Sequence, residues 1–70
     1  MKYLVVIEPA GGNYSGWVPD LPGCIATGKS AAQTRRRLAT AIAMHLDGIE
    51  EDGGTPPPPT ARGEYVKLKR

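Results

Sequence analysis

The sequence predicts a single α+β domain over residues 1–70, with a three-stranded antiparallel β-meander, one long helix and a fourth, C-terminal strand (β-β-β-α-β). Three observations lead to this prediction. The chain of 70 residues has room for one small core. An apolar run, Tyr3–Ile7, precedes a glycine-rich turn. Apolar residues then recur at helical spacing between Ser30 and Asp52.

The first two strands are predicted to form a hairpin. The run Tyr3–Ile7 is rich in β-branched residues, so we expect a strand that is buried on both faces or nearly so. Pro9–Asn13 has the residues of a turn. In the second strand, Tyr14–Val18, alternation places Ser15 and Trp17 on the face opposite to Tyr14, Gly16 and Val18.

A proline-rich turn separates the hairpin from a third strand. Pro19–Gly23 cannot lie inside a sheet, because each proline lacks the N–H group that a ladder needs. Cys24–Thr27 is then a short strand that ends at Gly28.

The helix has clear signals at both ends. Ser30 and Gln33 form a capping-box pattern, and Gly53 stops the helix. Its predicted inner stripe consists of Ala31, Thr34, Leu38, Ala41, Ile42, His45 and Ile49, with Leu46 at the margin. Pro56–Pro59 is predicted to be a stiff, extended connector. The alternating segment Glu64–Lys69 is predicted to be the fourth strand, with one face exposed to solvent.

The stretch Gly23–Ser30, GCIATGKS, matches the phosphate-loop pattern G-x-x-x-x-G-K-[ST]. A true phosphate loop follows a buried parallel strand, whereas a proline turn comes before Gly23. The four variable positions also resemble a strand. A strand would stretch the loop over roughly 13 Å, so its backbone N–H groups could not surround a phosphate. We therefore interpret Lys29 and Ser30 as a strand-to-helix turn with an N-cap.

No catalytic group, cofactor site or metal site is predicted. Cys24 is the one cysteine and His45 the one histidine, so the chain offers neither a disulfide framework nor a cysteine and histidine set of metal ligands. Cys24 is expected to pack as a small hydrophobe, and His45 to lie in the core or an interface. The acidic residues are scattered, without the convergence that two-metal chemistry needs.

The basic residues leave an alternative open. The net charge of +2 is far from that of a dedicated nucleic-acid binder. The alternative is weak binding to an RNA backbone, for which the candidate residues are Arg35, Arg36, Lys67 and Lys69. Aromatic residues for base stacking do not accompany them, so we favour a solvated face.

The assembled pattern resembles the HicB-like antitoxin family. The resemblance rests on Tyr14, on Val18–Cys24 with its P-D-L-P-G-C core, on Thr27–Gly28 and on the helix that ends in Glu51-Asp52-Gly53. The opening strand, the His45-Leu46 step and the proline-rich link also fit, so the resemblance covers essentially the whole chain.

The resemblance implies a partial RNase H-like fold without catalytic acids, and therefore no enzyme activity. It implies binding to a small basic HicA-type toxin that cleaves mRNA, whose active site the antitoxin covers, and assembly into homodimers or higher oligomers. We expect a cytoplasmic protein without a membrane segment. DNA binding is not expected, because no helix-turn-helix or ribbon-helix-helix segment follows the last strand.

The expected partner contacts or scaffold elements are Trp17 and the turn residues Pro19, Asp20, Leu21 and Pro22. A tryptophan and a rigid turn offer a buried anchor at low entropic cost. The alternative, to which we give equal weight, is that Trp17 fills the core or a homodimer interface. The chain departs from the family at Lys29 and Arg35, where acidic residues are usual. The expected charge attraction to a basic toxin is therefore missing at the helix start.

Overall fold

The computed structural model describes all residues, Met1–Arg70. It contains β1 (Val6–Ala10), β2 (Asn13–Trp17), β3 (Ile25–Gly28) and α1 (Ala31–Glu51). The strands lie in the order β1-β2-β3, and both pairs are antiparallel. The predicted α+β class, the three-stranded meander and the single long helix are therefore confirmed.

The first hairpin is tighter than predicted. The turn consists of Gly11 and Gly12, which have φ values of 56° and 90° that favour glycine. Strand β1 runs on through Pro9, which an edge strand tolerates because its missing N–H group faces away from β2. The expectation that Tyr3–Ile7 is buried on both faces was wrong: these residues are half-buried, since the helix covers only one face of the sheet.

Helix α1 packs on the face of the sheet that carries Gly16. A Cβ atom built on Gly16 would lie 2.6 Å from Leu38 Cδ1, so the absent side chain lets the helix approach β2 closely. Thr34 and Leu38 are buried at this contact, as the predicted stripe requires. The buried hydrophobic core is small and consists of Val18, Leu21, Cys24 and Leu38.

The predicted fourth strand is absent. Residues 64–70 belong to no regular element and are all exposed. They make no backbone hydrogen bond of a sheet ladder or a turn. The tail has the alternating side chains of a strand, but a strand forms only when its backbone is hydrogen-bonded to the edge of a neighbouring strand. We call residues 64–70 the C-terminal tail.

No helix of the chain combines the length and the apolar character that crossing a bilayer requires.

Candidate binding face

The outer face of the sheet carries a row of apolar side chains. Trp17 is the register partner of Val6 on one side and of Ile25 on the other. Because Gly16 faces the helix, Trp17 and its two partners face away from it. Trp17 is 37% exposed and Ile25 is 69% exposed, while Val6 is half-buried. We call Val6, Trp17 and Ile25 the outer-face row.

The turn after β2 presents two prolines and buries a leucine. The N–H of Leu21 donates to the Val18 carbonyl at 3.0 Å, and the Cys24 N–H donates to the Leu21 carbonyl at 3.0 Å. These bonds fold Leu21 into the core, where it is 1% exposed. Pro19 and Pro22 are exposed. In this structure Leu21 is therefore a scaffold residue, and the prolines offer contact surface close to Trp17 in sequence.

Asp20 attaches the C-terminal segment to this turn. Its Oδ2 accepts hydrogen bonds from the N–H groups of Thr60, at 3.0 Å, and Ala61, at 2.9 Å. Its Oδ1 accepts a third bond, at 3.1 Å, from the Thr60 hydroxyl. A carboxylate that accepts several hydrogen bonds holds a segment more firmly than a neutral acceptor does. Asp20 thus has a structural role that the sequence did not indicate, because its partners are 40 and 41 residues away.

We expect Asp20→Ala to free the segment after Pro59, because all three hydrogen bonds are lost at once. Trypsin cleavage after Arg62 should become about tenfold faster if the opening free energy falls by about 1.4 kcal/mol. Limited proteolysis followed by mass spectrometry measures this rate. Asp47→Ala, a change of the same charge on the exposed side of α1, should leave it unchanged. Equal rates in both variants would contradict the attachment.

The basic residues named for the alternative occupy different elements. Arg35 and Arg36 lie in the first turns of α1 and line a hollow beside the N-terminal segment. Lys67 and Lys69 lie in the C-terminal tail, outside any sheet. The neighbouring Arg37 donates from Nη1 to the Thr27 carbonyl at 3.0 Å, so this guanidinium ties α1 to β3.

The phosphate-loop match is a strand followed by a helix cap. The variable positions of the pattern run into β3, which is extended. Ser30 Oγ accepts from the Gln33 N–H at 3.0 Å, and Gln33 Oε1 accepts from the Lys29 N–H at 2.7 Å. The Ser30 half is that of the predicted capping box, whereas Gln33 reaches back to the N–H of the residue before the cap instead of to the Ser30 N–H. The Gly–Lys–Ser letters are therefore explained by the start of α1.

We expect Ser30→Ala to lower the free energy of unfolding by about 1 kcal/mol, because the Gln33 N–H loses its partner. Lys29→Ala should have almost no effect, since Lys29 contributes its backbone N–H to the cap. Thermal unfolding of the two variants measures both effects. A larger loss for Lys29→Ala than for Ser30→Ala would contradict the cap interpretation.

Cys24 and His45 line one open hollow at the edge of β3, together with Gly23, Ile25, Ala41 and Met44. Burial raises the pKa of the Cys24 thiol, which disfavours the thiolate that a nucleophile needs. Cys24 is one of the buried core residues, as expected of a small hydrophobe. No group of three or more histidine, cysteine or acidic side chains is placed to hold a metal ion.

Sequence reasoning named Trp17 but missed Val6 and Ile25. The signal was present: once the hairpin turn is fixed at Gly11–Gly12, antiparallel counting pairs Val6 with Trp17. The predicted turn at Pro9–Asn13 was too long to reveal this register.

Comparisons with known proteins give one family and two relatives. A family model described as HicB-like antitoxin of bacterial toxin–antitoxin system matches residues 3–69. The chain is 30% identical over 66 residues to an uncharacterized 14.9 kDa protein of Haemophilus phage HP1, a match that covers 94% of this chain and 50% of the phage protein. It is 38% identical over 52 residues to a UPF0150 protein of Helicobacter pylori, covering 74% and 72% of the two chains. The chain thus spans half the length of the phage relative.

Proposed function

This chain belongs to the HicB-like antitoxin family, and we propose that it binds a toxin protein through the outer face of its sheet and blocks the toxin by covering it. The observation that carries the proposal is the outer-face row. Trp17 lies at its centre, flanked in register by Val6 and Ile25, on a face that no helix of the chain covers. An exposed tryptophan between aliphatic neighbours is typical of the centre of a protein interface.

The proposed toxin is a small basic protein of the HicA type that cleaves mRNA, as the resemblance implies. The mechanism is steric and uses no bond chemistry, cofactor or metal of this chain, and it takes place in the cytoplasm. A standard interface covers about 800 Å² per partner, a large share of so small a domain. The exposed prolines of the Pro19–Pro22 turn, which follows Trp17 closely in the sequence, extend the proposed contact surface.

Charge supports a contact at the sheet better than one at the helix start. Lys29, Arg35 and Arg36 make the start of α1 basic and would repel a basic toxin. On the outer face, Glu8 projects from β1 on the same side as Val6, two residues away. The apolar row with a nearby carboxylate is therefore the more favourable surface for a basic partner.

The test is co-expression of the tagged chain with its neighbouring reading frame. We expect a stable complex at about equal amounts and recovery of growth in cells that the neighbour alone arrests. A neighbour that neither arrests growth nor co-purifies would contradict the proposal. The RNA-binding alternative predicts retention on RNA that falls steeply as salt rises, because counterion release drives it. An apolar protein interface should change little over the same range.

The RNase H-like relation and the assembly of the chain into homo-oligomers remain predictions of the resemblance.

A further inference from the structure

The C-terminal tail exposes two aliphatic side chains that no part of its own chain covers. Val66 is 80% exposed and Leu68 is 68% exposed. If the tail becomes extended, Glu64, Val66 and Leu68 lie on one face and Tyr65, Lys67 and Lys69 on the other. The tail therefore has an acidic and apolar face and a basic face, and the first of these lacks a partner.

Strand β1 offers an unpaired edge beside an apolar hollow. It is the first strand of the sheet and pairs only with β2, so its other side has free backbone groups. Next to the segment that leads into β1 lies a hollow of about 270 Å³ between that segment and α1. It is lined by Tyr3, Val5, Arg35, Arg36, Ala39 and Ile42.

The hollow and the first face of the tail are complementary. Val5, Ala39 and Ile42 offer apolar surface of the kind that Val66 and Leu68 need. Arg35 and Arg36 offer positive charge to Glu64, whose only partner is Arg62 at 3.4 Å in an exposed ion pair of little energetic value. With this face inward, Lys67 and Lys69 point away from the two arginines, so the basic groups do not clash.

Within one chain, the tail does not reach this hollow. The segment before it is fixed, because the Tyr3 hydroxyl donates to the Pro57 carbonyl and Asp20 binds Thr60 and Ala61. A Cβ atom on Gly63 would contact Leu4 at 3.4 Å, which places the root of the tail beside the N-terminal segment. From there the tail runs into solvent, and none of its residues lines the hollow.

We propose that the tail of one copy adds as a strand to the β1 edge of a second copy, with Val66 and Leu68 in that copy's hollow. When each copy donates its tail to the other about a two-fold axis, the β1 edges of both copies are paired and the apolar faces of both tails are covered. The fourth strand then forms between chains. The proposal concerns the chain alone and does not depend on toxin binding.

Disulfide trapping tests this exchange. In a Cys24→Ala background, which removes the only native thiol, one protein carries Val66→Cys and a second, of different mass, carries Ala39→Cys. We expect mild oxidation of the mixture to give a disulfide-linked heterodimer, and Lys67→Cys, on the other face of the tail, to give about tenfold less. A protein with both V66C and A39C that cross-links only within one monomer would overturn the proposal, as would no cross-link at all.

Light scattering after size-exclusion chromatography gives a second readout without cysteines. We expect a dimer for the unaltered chain and a rise of about tenfold or more in its dissociation constant for Leu68→Asp, because the apolar contact that Leu68 makes with the Val5, Ala39 and Ile42 part of the hollow is lost. The dissociation constant of the Lys67→Asp dimer should rise far less, since the side chain at this position faces solvent. A monomeric unaltered chain, or a dimer that Leu68→Asp leaves intact, would overturn the exchange.

Discussion

Gly16→Ala is expected to lower the free energy of unfolding by about 1–3 kcal/mol, a large part of what so small a core supplies. The added methyl group would lie 2.6 Å from Leu38 Cδ1, 3.1 Å from Thr34 Cγ2 and 3.2 Å from the Val6 carbonyl oxygen. Leu38 is fully buried, so a shift of its terminal methyl group must displace other atoms of the core. Either the Leu38 side chain is displaced or the helix moves away from β2, and both loosen the contact between the two layers.

Gly48→Ala is the matched control, because it makes the same chemical change in open space. Gly48 is inside α1, and apart from its chain neighbours and the backbone of the helix itself no heavy atom lies within 4 Å of a Cβ built on it. Alanine should stabilise the helix there by about 0.5–1 kcal/mol. Urea unfolding of both variants measures the two opposite shifts. A Gly16→Ala protein as stable as the unaltered chain would show that the helix does not need the close approach.

The elements that the sequence predicted well are those fixed by neighbours along the chain. The caps of α1 depend on Ser30, Gln33 and Gly53, all within the helix or next to it. Alternation predicted which residues of β2 lie on each face of the sheet, and the close approach of Leu38 to Gly16 agrees with that prediction. These features depend on local geometry, so residue type and spacing are sufficient to predict them.

The elements that the sequence did not predict depend on distant contacts. The tail has the alternation of a strand, but its pairing requires an edge whose availability the pattern does not reveal. Leu21 was a candidate contact residue, and only the folded turn shows that it fills the core. The three bonds of Asp20 to Thr60 and Ala61 likewise join residues that are far apart in the chain. The outer-face row needed the exact turn position, which sets the register.

Trp17→Ala is expected to weaken toxin binding by about 2–4 kcal/mol, or roughly 30- to 1,000-fold in the dissociation constant. The indole is the largest side chain of the outer-face row and has a hydrophobic neighbour on each side, so its removal opens a gap at the centre of the proposed interface. Titration calorimetry with the purified toxin measures the loss. Growth rescue in cells that express the toxin should disappear in parallel.

Tyr65→Ala is the control, since Tyr65 is also an exposed aromatic residue but lies in the C-terminal tail, on the face opposite to Val66 and Leu68. Its loss should change toxin affinity by less than about 0.5 kcal/mol, as is usual for a surface position outside an interface. Leu68→Asp, which disrupts the proposed exchange of tails, should keep toxin binding, whereas Trp17→Ala should keep the dimer. If Trp17→Ala dissociated the dimer as well, the indole would belong to a seam between two copies, and the toxin surface would have to be sought elsewhere.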